Sequence, residues 1–341
     1  MTATIDIVSI GMVTAVGLDA PSACAAMRAR LDGFQETRFV TSNHERLVGA
    51  PVPLPRNWIG EKRLAHLAAG AICEAFDAVP RARGQTALIL CLAEEGRPGR
   101  PVRDGAGLLR RIADIVDVEP HARSRIIAHG RPSGHVALDQ ARRLIASGEA
   151  PYVMIAGVDS YLTSRTVDHY LAAKRLLTPD NPNGFIPGEA AAAFICAPSG
   201  GGRLRLFGVG LAREPAFIYN PGDLALRGDG MTSAYRAALE ETGVPMNRLG
   251  YRIADLIGEQ YWFKQSALAT LRLMRDRADF LDLWSPAESL GNIGAAAVPL
   301  MIGMAFTAAA KGYAAGNPVL VEASNDVGEC GAAVLAAGVA A

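Results

Sequence analysis

The chain has 341 residues, half of them apolar and a fifth charged, which is the balance of an ordinary compact protein and excludes a disordered or fibrous one. Its 34 basic and 34 acidic side chains cancel, leaving no basic excess for nucleic acid and no net charge to steer a ligand. The five cysteines, Cys24, Cys73, Cys91, Cys196 and Cys330, form no CxxC pair and no cluster with histidine, so no zinc site, no disulfide framework and no cofactor is expected.

In chain order, residues 1–17 mix apolar and small side chains without a charged leader and long apolar run, so no signal peptide is expected. Residues 5–12 read as a first strand. Asp19 and Ser22 offer capping oxygens around Pro21 for a helix that stops before Gly33. Leu64, Leu67, Ala68, Ala71, Ile72, Ala75 and Phe76 fall on one face of a second helix that Pro80 ends. Residues 87–92 then predict a buried strand, 136–145 a helix ending at Gly148, 152–156 a strand, and 190–196 another. Strands alternating with helical periodicity predict an α/β protein with helix-covered sheets.

The Gly-rich stretch 199–202 is the clearest break, and beyond it the same order begins again. Residues 204–209 match the opening strand, the helix 233–241 and strand 251–257 match the second helix and strand, and the strands 319–323 and 332–336 close the copy. The division is therefore 1–202 and 203–341, two pseudo-repeated halves of one intimate unit. The first half's excess length belongs in surface insertions. The Ala-rich segment 293–310 is interrupted by Gly294, Pro299 and Gly303 and ends at Lys311, so no membrane insertion is expected and the protein is placed in the cytoplasm.

Five stretches, in order, resemble β-ketoacyl synthases over nearly the whole chain. NGFIPGE at 183–189 resembles the family's DGFVPGE segment, and IVSIGMVTAVG its first strand and turn. RRLIASGEAPYVMIAGVDS is similar to the helix and strand after its nucleophile. ALEETGVPMNRLGYRIAD resembles the approach to its first catalytic histidine, and SLGNIGAAAVPL the segment with the second. The resemblance implies the thiolase-like five-layered αβαβα fold with two pseudo-repeats, usually dimeric, with the site at the junction between them.

The resemblance also locates what has changed. In the family a cysteine at a helix N-terminus attacks a thioester, and two histidines support decarboxylation and condensation. The nucleophile position falls at Arg131, whose guanidinium takes no acyl group. The histidine positions fall at Asp255 and Gly291, and the family's lysine at Pro286. The family's GFGGTN loop, which gates the acyl pocket, is replaced by Asn325-Asp-Val-Gly-Glu-Cys-Gly331. An arginine buried without a partner is costly, so an ion pair of Arg131 with Asp255, or failing that Glu259, is expected to fill the former site.

Candidates for a residual site are Ser133 as nucleophile with His129 or His135 as base, Cys330 near the junction, Asn292 beside Gly291, and Glu259, which Tyr261 and Trp262 follow. Glu189 matches a position that supports a loop. Gly208 and Gly210 follow a strand as a GxG, too little for a dinucleotide site. The expected function is that of a catalytically degenerate synthase homologue serving binding or assembly through a protein partner. Two family settings suggest partners: a secreted effector, as for thiolase-like accessory factors of type VI secretion, or an active synthase subunit, as for a chain length factor. A homodimer is the family expectation. The alternative is an acyltransferase or condensing enzyme with another nucleophile.

Overall fold

The computed structural model describes residues 4–41, 43–276 and 281–338. In the first half, β1 (Ile5–Val13) leads through α1 (Ala20–Arg28) and the hairpin β2 (Gln35–Val40) and β3 (Arg46–Gly49) to α2 (Gly60–Ala78). Then follow β4 (Thr86–Cys91), α3 (Gly105–Val116), β5 (Arg125–Ile127), α4 (Ser133–Ala146), β6 (Tyr152–Ser160), α5 (Ser164–Ala172) and β7 (Glu189–Pro198). The second half runs β8 (Leu204–Arg213), α6 (Asp229–Thr242), β9 (Tyr251–Ala254), α7 (Gln260–Leu273), β10 (Asp282–Trp284), α8 (Ala287–Leu290), α9 (Ala297–Lys311), β11 (Val319–Ser324) and β12 (Glu329–Ala337).

Strand order repeats. From the seam outward the first half reads β1-β7-β6-β4-β5 and the second β8-β12-β11-β9-β10, joined where Ile5 to Ile7 pair antiparallel with Leu204 to Leu206. Helices α4 and α9 lie between the two halves of the sheet, α4 packing on β6 and β8 and α9 on β7 and β11. Helices α2 and α6 cover the outer faces. This is the five-layered αβαβα arrangement. The first half's extra residues sit in α1 with the β2–β3 hairpin, and in α5 with the loop that follows it.

Sequence chemistry explains the main boundaries. Asp19 caps α1 by accepting the Ser22 N–H at 2.7 Å, with Pro21 in the first turn. Strands β4, β6 and β7 are buried on both faces, as strands under two helix layers must be, and so read as nearly continuous apolar runs, with polar residues at Thr86, Asp159, Ser160 and Glu189 near their ends. Helix α9 is apolar on nearly all sides because it is a central layer. The 18-residue stretch Gly294–Lys311 is long and apolar enough to cross a membrane, which the sequence reading denied, but it is 78% buried inside the protein.

Two further expectations are corrected. The strand foreseen over 251–257 leaves the ladder after Ala254, although the Asp255 N–H still donates to the Glu322 carbonyl at 3.1 Å. Cys330, read as a loop residue, lies inside β12 opposite Ser324 and Ala212. The pair Gly208 and Gly210 has a packing role. A Cβ at Gly210 would lie 1.9 Å from the Ala234 carbonyl oxygen, and one at Gly208 would lie 2.1 Å from that of Ala238, so both glycines let α6 close onto β8.

Candidate functional site

The chain leaves β5 through a turn in which Gly130, at φ 63°, donates its N–H to the Leu92 carbonyl at 3.0 Å. This turn delivers Arg131 to the N-terminal end of α4 with its side chain only 2% exposed. Across the seam stand the end of β9, the start of α7 and the β11–β12 turn. Arg131 Nη1 donates to Asp255 Oδ2 at 3.3 Å, and Nη2 lies 3.7 Å from Asp326 Oδ1. The guanidinium carbon sits 3.8 Å above the Trp262 ring centroid, so one face of the cation is covered by an aromatic ring. The expected pair with Asp255 is present.

Glu259 has a different partner. Arg175, from the segment after α5, forks onto it with Nε to Oε1 at 2.8 Å and Nη2 to Oε2 at 2.7 Å, and Trp262 Nε1 donates to the same Oε2 at 3.0 Å. Arg175 also bonds Asp326, which is therefore shared between two arginines. In every one of these pairs the cation comes from the first half and the carboxylate from the second. Below them Arg97 donates to Asp159 at 2.7 Å, and Asp159 accepts the Ala295 N–H at 3.1 Å.

The electrostatics separate the carboxylates. Burial pushes the Asp255 carboxyl up, against the pull of Arg131, and its Oδ1 has no hydrogen-bond partner among the described residues. Burial opposes ionisation of Asp326 too, but Arg175 and Arg131 outweigh it and hold that carboxyl below its usual range. Arg131 stays charged, since its carboxylate neighbours more than offset the cost of burial. Asp326 is therefore the ionised carboxylate that bridges the two arginines, beside Glu259 on Arg175, and Asp255 is the more costly member of the network.

The residues proposed as a residual site do not assemble into one. The Ser133 hydroxyl accepts the His129 backbone N–H at 3.0 Å and faces the Leu92 carbonyl at 3.4 Å, so no histidine ring reaches it. The His129 ring pairs with Glu329 at 2.8 Å, and that carboxylate holds its pKa up. His135 is fully buried, its Nε2 is 3.1 Å from the Val321 carbonyl, and desolvation holds it down to about 4, a neutral core histidine. Burial pushes the Cys330 thiol up, which removes its thiolate at neutral pH. Glu189 supports loops, accepting from the Val52 N–H at 2.9 Å, from Ser160 Oγ at 2.9 Å and from Arg63.

The second histidine position is closed to any side chain. Gly291 has φ 64° and ψ −150°, and a Cβ there would lie 2.3 Å from the Ile186 carbonyl oxygen. Its neighbour Asn292 is buried, and its Oδ1 accepts the Gly294 N–H at 3.1 Å, which fixes the turn into α9. Pro286 starts the short α8. Among the described residues no three His, Cys, Asp or Glu side chains gather as a metal would need.

Arg175, Arg97, Asp159 and Asp326 are the candidate-site residues that sequence reasoning missed. Asp326 sits in the altered glycine loop, where the sequence alone gives it no partner. Arg175 and Asp326 are separated by 151 residues, and no local pattern joins them.

Residues 131–198 match the family profile of the beta-ketoacyl synthase N-terminal domain. Over this segment the chain resembles that family, and its fold is the thiolase-like ketosynthase fold. The likeness in fold spans nearly all of it. The ishigamide ketosynthase/chain length factor aligns with TM-score 0.79 at 17% identity over 99% of this chain and 100% of that one. A ketosynthase in complex with its chain length factor from Xenorhabdus doucetiae aligns with TM-score 0.80 at 14% identity over 98% of each chain. A beta-ketoacyl synthase from Burkholderia phymatum aligns with TM-score 0.77 at 16% identity, covering 99% of this chain and 100% of that one. No curated protein matches the sequence. The profile match begins at Arg131, the residue that the charge network encloses.

Proposed function

We propose that this protein is a non-acylating subunit built on a ketosynthase scaffold and that it acts by binding a protein partner, in the manner of a chain length factor beside an active synthase. The observation that carries the reading is Arg131. It occupies the start of α4 as a buried guanidinium, tied to Asp255 and Asp326 and covered by Trp262, where the family resemblance puts the nucleophile. A protonated guanidinium has no lone pair to attack a thioester. The site is packed for shape and charge balance, and the chain keeps the rest of the scaffold.

Two features support a partner. The similar structures include ketosynthases solved together with chain length factors. Among the described residues the end strand β5 is hydrogen-bonded to β4 on one side only, leaving an edge that a second subunit can extend. The work of such a subunit is done in the cytoplasm, as part of a homodimer or a heterodimer. An effector-loading accessory role in secretion shares the need for a protein partner and differs in which protein binds.

The test is co-expression with an active ketosynthase from the same genome, followed by native mass spectrometry and acyl-thioester loading. The expected result is a one-to-one heterodimer acylated only on the synthase subunit. Acylation of this chain, or a homodimer that ignores the synthase and binds a secreted toxin instead, would overturn the chain-length-factor reading.

A further inference from the structure

A groove lies between the C-terminal ends of α1 and α9 and the strand β10. It consists of two adjoining cavities of about 340 and 310 Å³ that share Cys24, Arg28 and Tyr313. Each is in the size range of a small-molecule site. It shares no lining residue with the Arg131 network.

Three cations stand on the groove. Arg28 is the last residue of α1, Lys311 the last of α9, and Arg30 follows α1 at its mouth. None of them forms a salt bridge among the described residues. Among the described residues the one carboxylate in the lining is Glu288, on the β10 side. Neutralising helix C-terminal carbonyls would account for Arg28 and Lys311 singly. It does not account for Arg30, which holds φ 56° while its N–H bonds the Met27 carbonyl at 3.0 Å. That is a helix-ending position where glycine is favoured and a side chain costs about 1 kcal/mol.

The walls are aromatic. The Arg28 guanidinium lies 4.3 Å from the Tyr313 ring centroid, and the Trp284 and Tyr313 rings are 6.3 Å apart with planes inclined at 30°. Trp284 is braced behind by Tyr251, at 4.6 Å. Three cations against one carboxylate leave an excess of about two positive charges, the complement of a phosphate monoester at neutral pH.

We propose that this groove binds a ring-bearing organic phosphate, with the phosphate held among Arg28, Arg30 and Lys311 and the ring laid against Trp284 and Tyr313. Arginine presents a planar fork that matches phosphate oxygens, and lysine adds a mobile point charge. Neither the fold nor the charge network at the seam is required for this binding, so it stands or falls separately from the proposed function.

The test uses ADP as the probe and inorganic phosphate as the comparison, by calorimetry and by tryptophan fluorescence of the full chain. The expected result is saturable ADP binding that changes the fluorescence, with the change lost in Trp284→Phe. Arg28→Gln and Lys311→Gln, at exposed positions, are expected to keep the wild-type melting temperature and to weaken ADP by about tenfold each, the usual effect of losing one charge-assisted contact. No ADP binding to the wild-type chain, or binding untouched by both glutamine variants, would overturn the proposal. Inorganic phosphate binding as tightly as ADP would refute the part played by the ring.

Discussion

Arg131 and Asp255 are 124 residues apart in sequence and 3.3 Å apart in space, one just before α4 in the first half and the other just after β9 in the second. Because both side chains are buried, removing one leaves the other charged without solvent. Asp255→Asn is expected to destabilise the protein by only about 1–2 kcal/mol, below the range for a broken buried pair, because burial already holds the Asp255 carboxyl up and Asp326 still faces Arg131. Arg131→Met with Asp255→Leu should recover most of that loss, since an apolar pair carries no desolvation cost. Urea denaturation of the three variants checks both statements; an Asp255→Asn protein as stable as wild type would contradict them.

Asp6 clasps the connection between the halves. Its Oδ2 accepts the N–H groups of Gly200, Gly201 and Gly202, and Arg205 donates to Oδ1 at 2.6 Å. Burial alone would raise this carboxyl, but the Arg205 bond and the three backbone donors hold it at about 2. A depressed folded pKa contributes stability that is complete above the unfolded value of 3.8 and is lost as pH falls through about 2. Asp6→Asn is expected to cost about 1–2 kcal/mol at pH 7, discounted for the partly exposed arginine, and to flatten the stability curve between those two pH values. An unchanged slope there in equilibrium unfolding would be the adverse result.

His135 works on a different pH window. The folded chain keeps this ring neutral down to about 4, whereas an unfolded chain takes up a proton near 6.5. Stability is then full above pH 6.5 and falls by up to about 3 kcal/mol as pH drops towards 4. His129, held up by Glu329, acts in the opposite sense: its contribution is full below pH 6.5 and is lost as pH rises through its raised folded value. An NMR titration of the His135 ring gives the decisive reading; a midpoint near 6.5 would mean that the ring is hydrated.

The fold was legible because its signals are local. The apolar runs of β4 and β7, the Gly200–Gly202 break and the capped start of α1 can each be read within about ten residues. Helix α3 carried an equally local signal that was not read: Leu108, Leu109, Ile112, Ala113 and Val116 line its buried face. At the candidate site, the resemblance brought out Arg131 and Asp255 because each sits in a stretch with its own motif. Arg175 and Arg97 lie in charged, turn-rich segments that read as surface, and only the tertiary fold shows them buried against Glu259 and Asp159. The Cys330 thiol was misplaced because β12 begins one residue before it, inside what the family resemblance marks as a loop.

Intact mass of the purified chain after incubation with an acyl-thioester donor tests the central claim, that the site has been refilled and does not take an acyl group. The account predicts an unchanged mass, identical for wild type, Ser133→Ala and Cys330→Ala. A stoichiometric acyl adduct on the wild-type chain that disappears in either variant would contradict it.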